Sequence, residues 1–463
     1  MQDIIFYHAS KKEPEYSFRL LKYIIIVFGV ILISFFNIFV SLVLCLFLVT
    51  NPYFLKKKVD VFQPENYFFC WYFYYFGIGF FAYQIRYFMG LNPGFDERVL
   101  LKGMIYSIVI AIFIKIFLRI YLKPIKNIMV NNFFRMRSLS LLLIITFVNS
   151  ALNMFYWHQL GGIPIFIPGF HSYQKAELGI GLGYIEYLQN FITLVVIFFI
   201  VIQWNDKKNN YFKLLLILYN TVFLALMSDS RGAAISSVLV MLILYSWNRK
   251  RIGLFKIIVL GILLVFSATA WGALRNNISL LYSGMIFMAE IATEFDNYLH
   301  VIDIFPSRMD FQYGGTLVSC IALLVPRVLL PNKNDFLTGG EFLRDVLGLE
   351  HIRVGVRMTI LGEMYMNFGY LGGVFSIVVL LFFLYLMKIF YKGALRTNSY
   401  ISYWMAIIML FAAQSFLVGD MATAFTFTFY NIVFISCLVV LLIIAKNVRE
   451  YYQRFKNKAC DFV

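Results

Sequence analysis

The sequence predicts an all-α polytopic membrane protein, with about twelve transmembrane helices and a large external loop of interfacial helices. Composition is the first observation: 61% of the 463 residues are hydrophobic and only 14% are charged, whereas soluble domains are about 45–50% apolar and about 25% charged. The second is a series of apolar runs long enough to cross a bilayer. The third is a basic cluster at every second connection between these runs. Together they exclude a soluble enzyme and a disordered chain.

The predicted spans begin with a hairpin near the N-terminus. Residues 23–55 carry no charge and are too many for one upright helix, so two spans are predicted, with a turn near Phe36–Asn37. An alternative with one span fewer fuses this hairpin and places the N-terminus outside. The further spans are predicted at 67–85, 103–121, 138–157, 187–204, 212–227, 233–248, 253–271, 366–391, 400–418 and 425–446.

Basic clusters set the predicted orientation. Cytoplasmic connections of membrane proteins are enriched in Lys and Arg, so both termini are predicted to be cytoplasmic, within one integral membrane domain over residues 1–463. The net charge of +16 is therefore interpreted as an orientation signal, and no nucleic-acid partner is predicted. The clusters lie at 11–22, 56–58, 123–137, 207–213, 249–256, 388–396 and 446–458.

Two external segments are long enough to carry function. The first covers residues 157–186, and the second, much larger, covers residues 272–364. The larger segment contains apolar stretches at 281–292 and 316–330 that are too short or too interrupted to span a bilayer. They are predicted to form interfacial or re-entrant helices that fold over the membrane rather than a free domain.

Cationic side chains gather where the predicted external helices end. An arginine near the membrane is costly unless it is paired or hydrated, and guanidinium groups bind phosphates through two parallel hydrogen bonds. The set therefore predicts a site for a lipid-linked pyrophosphate, although any single member can instead be an ion-paired surface residue, as Asp229 suggests for Arg231. The predicted substrate-binding cations are Arg231, Arg275, Arg327, Lys333, Arg353 and Arg357.

Glu363 is the predicted catalytic base, because a partly desolvated carboxylate at the entry to a span suits proton transfer. The alternative is a structural carboxylate that pairs with Arg353 or Arg357. His351 in the same external segment is the second catalytic candidate. The five cysteines form no CxxC or His-rich pattern, and nucleotide-binding loops are missing, so no metal site and no cofactor are predicted.

Four short motifs occur in a characteristic order. They are Gly161–Phe166 (GGIPIF), Ser230–Ala233 (SRGA), Pro326–Lys333 with its Pro-Arg and Pro-Asn-Lys pairs, and Gly362–Gly369 (GEMYMNFG). Over roughly residues 140–440 their order and spacing resemble the Wzy-type oligosaccharide repeat-unit (O-antigen) polymerases of bacteria. The family often has an arginine shortly after its first motif, where this sequence offers only Lys175. Lys175 is therefore included among the predicted substrate-binding residues, although it lacks the planar guanidinium fork.

The resemblance implies a GT-C-like glycosyltransferase of the bacterial inner membrane with its active site facing the periplasm. Such an enzyme transfers a growing glycan from undecaprenyl pyrophosphate to a second lipid-linked repeat unit. The resemblance further implies undecaprenyl-pyrophosphate-linked oligosaccharides as substrates, a chain-length regulator as a partner, contact with membrane lipids, and no cofactor. It places Tyr365 of the last motif beside the substrate.

Two alternatives remain open at the level of sequence. An O-antigen ligase has the same donor but transfers the glycan to lipid A core. A flippase or transporter moves the same lipid-linked oligosaccharide without chemistry. Transporters are often built from internal repeats, which this sequence lacks, and the large external segment favours chemistry at the membrane surface.

Reporter fusions test the predicted topology. Fusions at Lys208, Lys250 and Lys456 should all report a cytoplasmic location, because each lies in a predicted basic connection. A periplasmic signal from any of the three would contradict the orientation and place the arginines on the wrong side of the membrane.

Overall fold

The computed structural model describes most of the chain, and every regular element in the described part is a helix. No strand occurs within these ranges, so the all-α class predicted from composition is confirmed. The described residues are 38–51, 60–91, 94–120, 139–162, 183–202, 210–228, 231–248, 252, 254–276, 279–325, 329–332, 335–349, 356–397 and 400–460.

The first part of the chain consists of helices with short described connections. A π-helical segment, Tyr74–Ile78, joins the second helix to the third. The helices are α1 (Ile38–Thr50), α2 (Pro64–Phe73), α3 (Gly79–Phe88), α4 (Glu97–Ile120), α5 (Leu139–Gln159), α6 (Gly183–Ile202), α7 (Asn210–Ser228), α8 (Arg231–Asn248) and α9 (Leu254–Asn276).

The second part opens with short helices and closes with long ones. Two 3₁₀ segments, Gly315–Val318 and Gly369–Leu371, precede α12 and α15 respectively. The helices are α10 (Leu280–Glu290), α11 (Glu294–Ile304), α12 (Ser319–Ala322), α13 (Gly339–Val346), α14 (Ile360–Phe368), α15 (Gly372–Thr397), α16 (Tyr400–Val418) and α17 (Met421–Cys460).

Four segments of the described chain are long and apolar enough to cross a membrane: Glu97–Arg119, Ile360–Thr397, Ile401–Val418 and Met421–Val440. Shorter apolar helices lie at Ile38–Thr50, Phe191–Val201, Tyr211–Asn220 and Ser237–Trp247. The described residues of each predicted span from 67–85 onward are helical, so the helical character of these segments is confirmed for that part of the chain. About twelve crossings, a GT-C-like arrangement and the hairpin at 23–55 remain predictions, and residues 23–37 lie outside the described residues.

The surface of α4 is that of a lipid-facing helix. Ile105, Val109, Ile112 and Ile116 recur at helical spacing and are all exposed, while the opposite face buries residues such as Met104 against the bundle. A helix that is apolar on both its buried and its exposed face is typical of a membrane bundle, because a soluble monomer rarely exposes so continuous an apolar stripe. The chain is therefore a helical membrane protein.

Contacts between distant helices agree with the predicted alternation of sides. At the predicted cytoplasmic side, Lys388 forms an ion pair with Glu65 at 2.6 Å, and the Trp247 indole N–H donates to the Phe62 carbonyl at 2.6 Å. At the predicted external side, Arg86 pairs with Asp296. Residues that the topology places on one side therefore meet in three dimensions.

The large segment that is predicted to be external, residues 272–364, packs into the bundle through α11. This helix buries Phe295, Tyr298 and Leu299 against α3, α4 and α14. Glycines allow the close approach: a Cβ at Gly79 would lie 2.8 Å from the Phe295 side chain, and one at Gly103 would lie 2.8 Å from Leu299. Helix α10 overlaps the first predicted apolar stretch and α12 lies within the second, so the described part of this segment contains helices, as expected.

A polar network runs through the interior of the bundle between α5, α6 and α7. The Asn149 amide donates to the Thr193 hydroxyl and to the Asn220 carbonyl oxygen, both at 3.0 Å. One turn from Thr193, Gln189 is fully buried, and neither atom of its amide has a partner within the described residues. The Asn149 Oδ1 also has no partner there. An unpaired buried polar atom costs free energy, so Gln189, with both amide atoms unpaired, opposes the stability of the bundle, whereas the two hydrogen bonds of Asn149 support it.

Leucine substitutions at these two positions should have opposite effects. Gln189→Leu removes an unpaired amide and should stabilise the protein by about 1–3 kcal/mol, whereas Asn149→Leu leaves Thr193 and Asn220 without their partner and should destabilise it by a similar amount. Thermal unfolding of the purified protein in detergent measures both. A Gln189→Leu protein that melts as early as Asn149→Leu would contradict the assignment of Gln189 as unpaired.

Candidate functional site

The structure describes the side chains of three predicted site residues, Glu363, Tyr365 and Arg357. Arg231 is the first residue of α8 and Arg275 lies in the last turn of α9, but their side chains are outside the described part. Convergence of the arginines on one cavity therefore stays a prediction. The predicted site residues that lie wholly outside the described residues are Lys175, Arg327, Lys333, His351 and Arg353.

The carboxylate of Glu363 is fully buried at the junction of α14 and α17. Thr359 caps α14 by accepting a hydrogen bond from the Gly362 N–H, which places Glu363 in the first turn. Its Oε1 accepts from the Thr316 hydroxyl at 2.9 Å, and its Oε2 accepts from the Met421 N–H at 2.5 Å. Met421 begins α17, so the anion lies at a helix N-terminus, where the unpaired N–H groups and the helix dipole stabilise negative charge.

Further contacts enclose this carboxylate. The Asn367 amide donates to both the Thr316 hydroxyl and the Glu363 carbonyl at 2.8 Å, and its oxygen accepts from the Gly314 N–H at 2.9 Å. A Cβ at Gly339 would lie 2.7 Å from Glu363 Oε1, so α13 packs directly on the carboxylate. We name Glu363, Thr316, Asn367 and the Met421 N–H the carboxylate knot.

A second buried carboxylate, Asp420, lies beside the carboxylate knot. Its Oδ1 accepts from the Thr423 N–H at 2.7 Å and caps the first turn of α17. Both acidic groups therefore use N–H groups of the same helix terminus, which compensates in part for the removal of two carboxylates from water.

Arg357 pairs with Glu294. Pairing of Glu363 with Arg353 or Arg357 is the structural alternative to a catalytic role for Glu363. The Arg357 Nη1 lies 3.4 Å from Oε1 of Glu294, the first residue of α11. The Asn297 amide donates to the Arg357 carbonyl at 2.6 Å, which fixes the backbone, while 74% of the Arg357 side chain is exposed against 4% of Glu294. Burial raises the pKa of Glu294, and a hydrogen bond from its own backbone N–H, the pairing with Arg357 and the charge of Arg86 partly oppose that increase.

Arg86 and Asp296 form a buried ion pair that sequence analysis did not find. Arg86 Nε and Nη2 donate to the two oxygens of Asp296 at 2.7 and 2.5 Å, and Nη1 donates to the Ile291 carbonyl at 2.7 Å. The available signal was the position of Arg86 at the end of an apolar span, because such an arginine needs a partner. The sequence offered no means of choosing Asp296 among the acidic residues of the external segment.

Tyr365 lies on α14 and packs in a cluster of aromatic rings from several parts of the chain. Its ring centroid lies 5.6 Å from that of Tyr106, 5.5 Å from that of Tyr370 and 6.2 Å from that of Phe311, and the residue is buried. The cluster stabilises the entry to α15 by edge-to-face packing. Contact between Tyr365 and a substrate stays a prediction.

The described ranges contain no group of three His, Cys, Asp or Glu side chains arranged to hold a metal ion. No protein-family model matches this chain, and no curated protein or solved structure matches it either. The resemblance to O-antigen polymerases therefore rests on the four sequence motifs.

A glycine-to-alanine substitution, which adds one methyl group, tests the contact between α13 and the carboxylate knot. Gly339→Ala should destabilise the protein by about 1–3 kcal/mol, because the new Cβ overlaps a carboxylate whose hydrogen bonds prevent it from moving. Gly315→Ala is the matched control, since a Cβ there meets no atom within 4 Å. Equal melting temperatures for the two variants would contradict the close packing of α13 on Glu363.

Proposed function

We propose that this chain is a bacterial surface polysaccharide (O-antigen) polymerase of the inner membrane. It transfers a growing glycan from undecaprenyl pyrophosphate to a lipid-linked repeat unit at the periplasmic face. Support comes from the four motifs in residues 140–440 and from the helical membrane fold, in which long apolar helices accompany a helical external segment packed on the bundle.

The exposed guanidinium of Arg357 is the observation that carries the proposal. The residue lies just before α14, its backbone is held by Asn297, and its side chain extends into solvent. A fixed backbone with an accessible fork is suited to binding an anionic diphosphate, because guanidinium groups bind phosphate oxygens through paired hydrogen bonds. The other predicted cations, with Arg231 and Arg327 foremost, are proposed to complete this site.

The proposed reaction creates negative charge on the departing carrier. The acceptor hydroxyl forms a bond to the anomeric carbon of the donor glycan, and the bond from that carbon to the pyrophosphate oxygen breaks. The leaving pyrophosphate keeps the electron pair, and arginine side chains stabilise it as preorganised donors. A base takes the proton of the acceptor hydroxyl. The polyprenyl chains of both substrates stay in the bilayer.

Glu363 and His351 are the sequence-predicted bases for this step. The enclosure of Glu363 in the carboxylate knot, with both oxygens hydrogen-bonded and no exposed surface, supports a structural role for its charge. An acceptor hydroxyl would reach it only if α13 or Thr316 moved away. Glu363→Gln keeps the shape of the side chain, so polymer of normal length from that variant would contradict its assignment as base.

Loss of an arginine should shorten the glycan. Arg231→Ala and Arg327→Ala should each reduce the rate of transfer by about 10²–10³-fold, because one preorganised donor to the leaving group is removed. Lysine at these positions should restore little activity, since it lacks the planar fork. The length distribution of the surface glycan measures the effect, and immunoblotting of membranes controls for the amount of protein.

Deletion of the gene separates polymerase from ligase. A strain without a polymerase attaches one repeat unit per lipid, so a single short band should replace the ladder. Complete loss of attached glycan would contradict the proposal and favour a ligase or a flippase.

A further inference from the structure

We infer that Glu294 is the general base of the transfer and that Arg357 holds its carboxylate until the pyrophosphate arrives. This inference rests on the proposed function and assigns the base to a residue that neither the motifs nor the predicted catalytic pair contain. Both residues lie in the external segment, Glu294 at the start of α11 and Arg357 just before α14.

Hydrogen bonding distinguishes Glu294 from the other buried carboxylates in the described part of the chain. Glu363 accepts hydrogen bonds at both of its oxygens, Asp296 is bound by two nitrogens of Arg86, and Asp420 caps α17. Glu294 has one side-chain contact of this kind among the described residues, at 3.4 Å from Arg357, and its carboxylate also accepts from its own backbone N–H. Charge-assisted hydrogen bonds are usually about 2.7–2.9 Å long, so Glu294 retains capacity to accept a proton.

The position of the pair makes Glu294 reachable. The carboxylate is buried, but the guanidinium that contacts it is mostly exposed, so a ligand that attracts Arg357 outward would free the Glu294 oxygen that Arg357 contacts. Asn297, in the first turn of α11, keeps the Arg357 backbone in place through its hydrogen bond to the carbonyl. The movement that we propose here is that of the long Arg357 side chain, whereas exposing Glu363 requires α13 or the hydrogen-bonded Thr316 to move.

Electrostatics couple the base to the leaving group. The charged and titratable groups around Glu294 are Arg357, Arg86, Asp296, Tyr74 and Tyr75. Burial raises the pKa of Glu294, and Arg357 is the main opposing charge. When the Arg357 guanidinium turns toward a pyrophosphate, its charge lowers the pKa of Glu294 less. The carboxylate then holds a proton more strongly. Binding of the donor thus increases the basicity of Glu294 when a base is needed.

The proton balance of the step is simple. Glu294 takes the proton of the acceptor hydroxyl while the new glycosidic bond forms and the bond to pyrophosphate breaks. The pyrophosphate leaves with the bonding electron pair and with Arg357 as a counter-charge. Glu294 then releases its proton to water, and Arg357 returns to the ion pair once the carrier departs.

Steady-state kinetics test the inference. The assay uses the purified full-length protein with lipid-linked repeat units as donor and acceptor. Glu294→Gln should lower kcat by about 10²–10⁴-fold with little change in KM, because the amide keeps the shape but cannot accept the proton. The matched control is Asp303→Asn in the same helix, where the Asp303 side chain pairs with the exposed Arg308; its kcat should match the wild type. Undiminished kcat in Glu294→Gln would overturn the inference.

The pH profile gives a second readout. A base acts only when deprotonated, so the wild-type kcat/KM should fall as pH drops below the pKa of Glu294, which burial places above the ordinary value of a glutamate. Glu294→Asp retains a base in a changed position and should shift this acid limb. If Glu294→Gln does not accumulate in membranes, an acid limb that stays at the same pH in Glu294→Asp overturns the assignment.

The wild-type enzyme separates this inference from the proposed function. Wild-type protein that forms no polymer from lipid-linked repeat units contradicts the proposed function itself. Active wild type with an equally active Glu294→Gln variant contradicts only the role of Glu294. Active wild type with an inactive Glu294→Gln variant and an active Glu363→Gln variant supports Glu294 over Glu363.

Discussion

The hydrogen bond from the N-terminus of α17 to the carboxylate of Glu363 is the constraint on which the packing of α13, α14 and α17 depends. Oε2 accepts from the Met421 N–H, and Oε1 accepts from Thr316. A fully buried carboxylate is tolerated only when such donors replace water, so the segment around Thr316, the start of α14 and the start of α17 must meet at one point. Gly339 then brings α13 onto the same carboxylate.

Asp296 and Glu294, both near the start of α11, carry the same chemical group but differ in their hydrogen-bond partners. Asp296 receives two short hydrogen bonds from Arg86, both side chains being nearly fully buried, so the pair fastens α11 to α3. Glu294, two residues earlier, has one side-chain partner among the described residues, Arg357, at the longer distance of 3.4 Å, and it also accepts from its own backbone N–H. Saturated hydrogen bonding makes the first carboxylate structural, while the second keeps the capacity for proton transfer that the proposed reaction requires.

The bundle combines an apolar exterior with a polar interior, which is the arrangement expected in lipid. The exposed stripe of α4 presents isoleucines and a valine outward, while Asn149, Thr193 and Asn220 hydrogen-bond to each other inside. Small and polar residues hold membrane helices together because lipid supplies no hydrophobic force between them. The same logic explains Gly103, whose missing side chain admits Leu299, and whose carbonyl accepts from Tyr298.

Composition and charge pattern by themselves determined the helical membrane class and the positions of most helices, because a long apolar segment in lipid has to satisfy its backbone hydrogen bonds internally as a helix. Packing alone decided which polar groups meet. Arg86 and Asp296 are 210 residues apart, Glu294 and Arg357 are 63 apart, and Met421 and Glu363 are 58 apart. Sequence reasoning placed Glu363 and Arg357 near the external surface and offered them as partners. The structure gave each a different partner, because hydrogen bonding depends on which helix ends come together in space, and local sequence does not encode that.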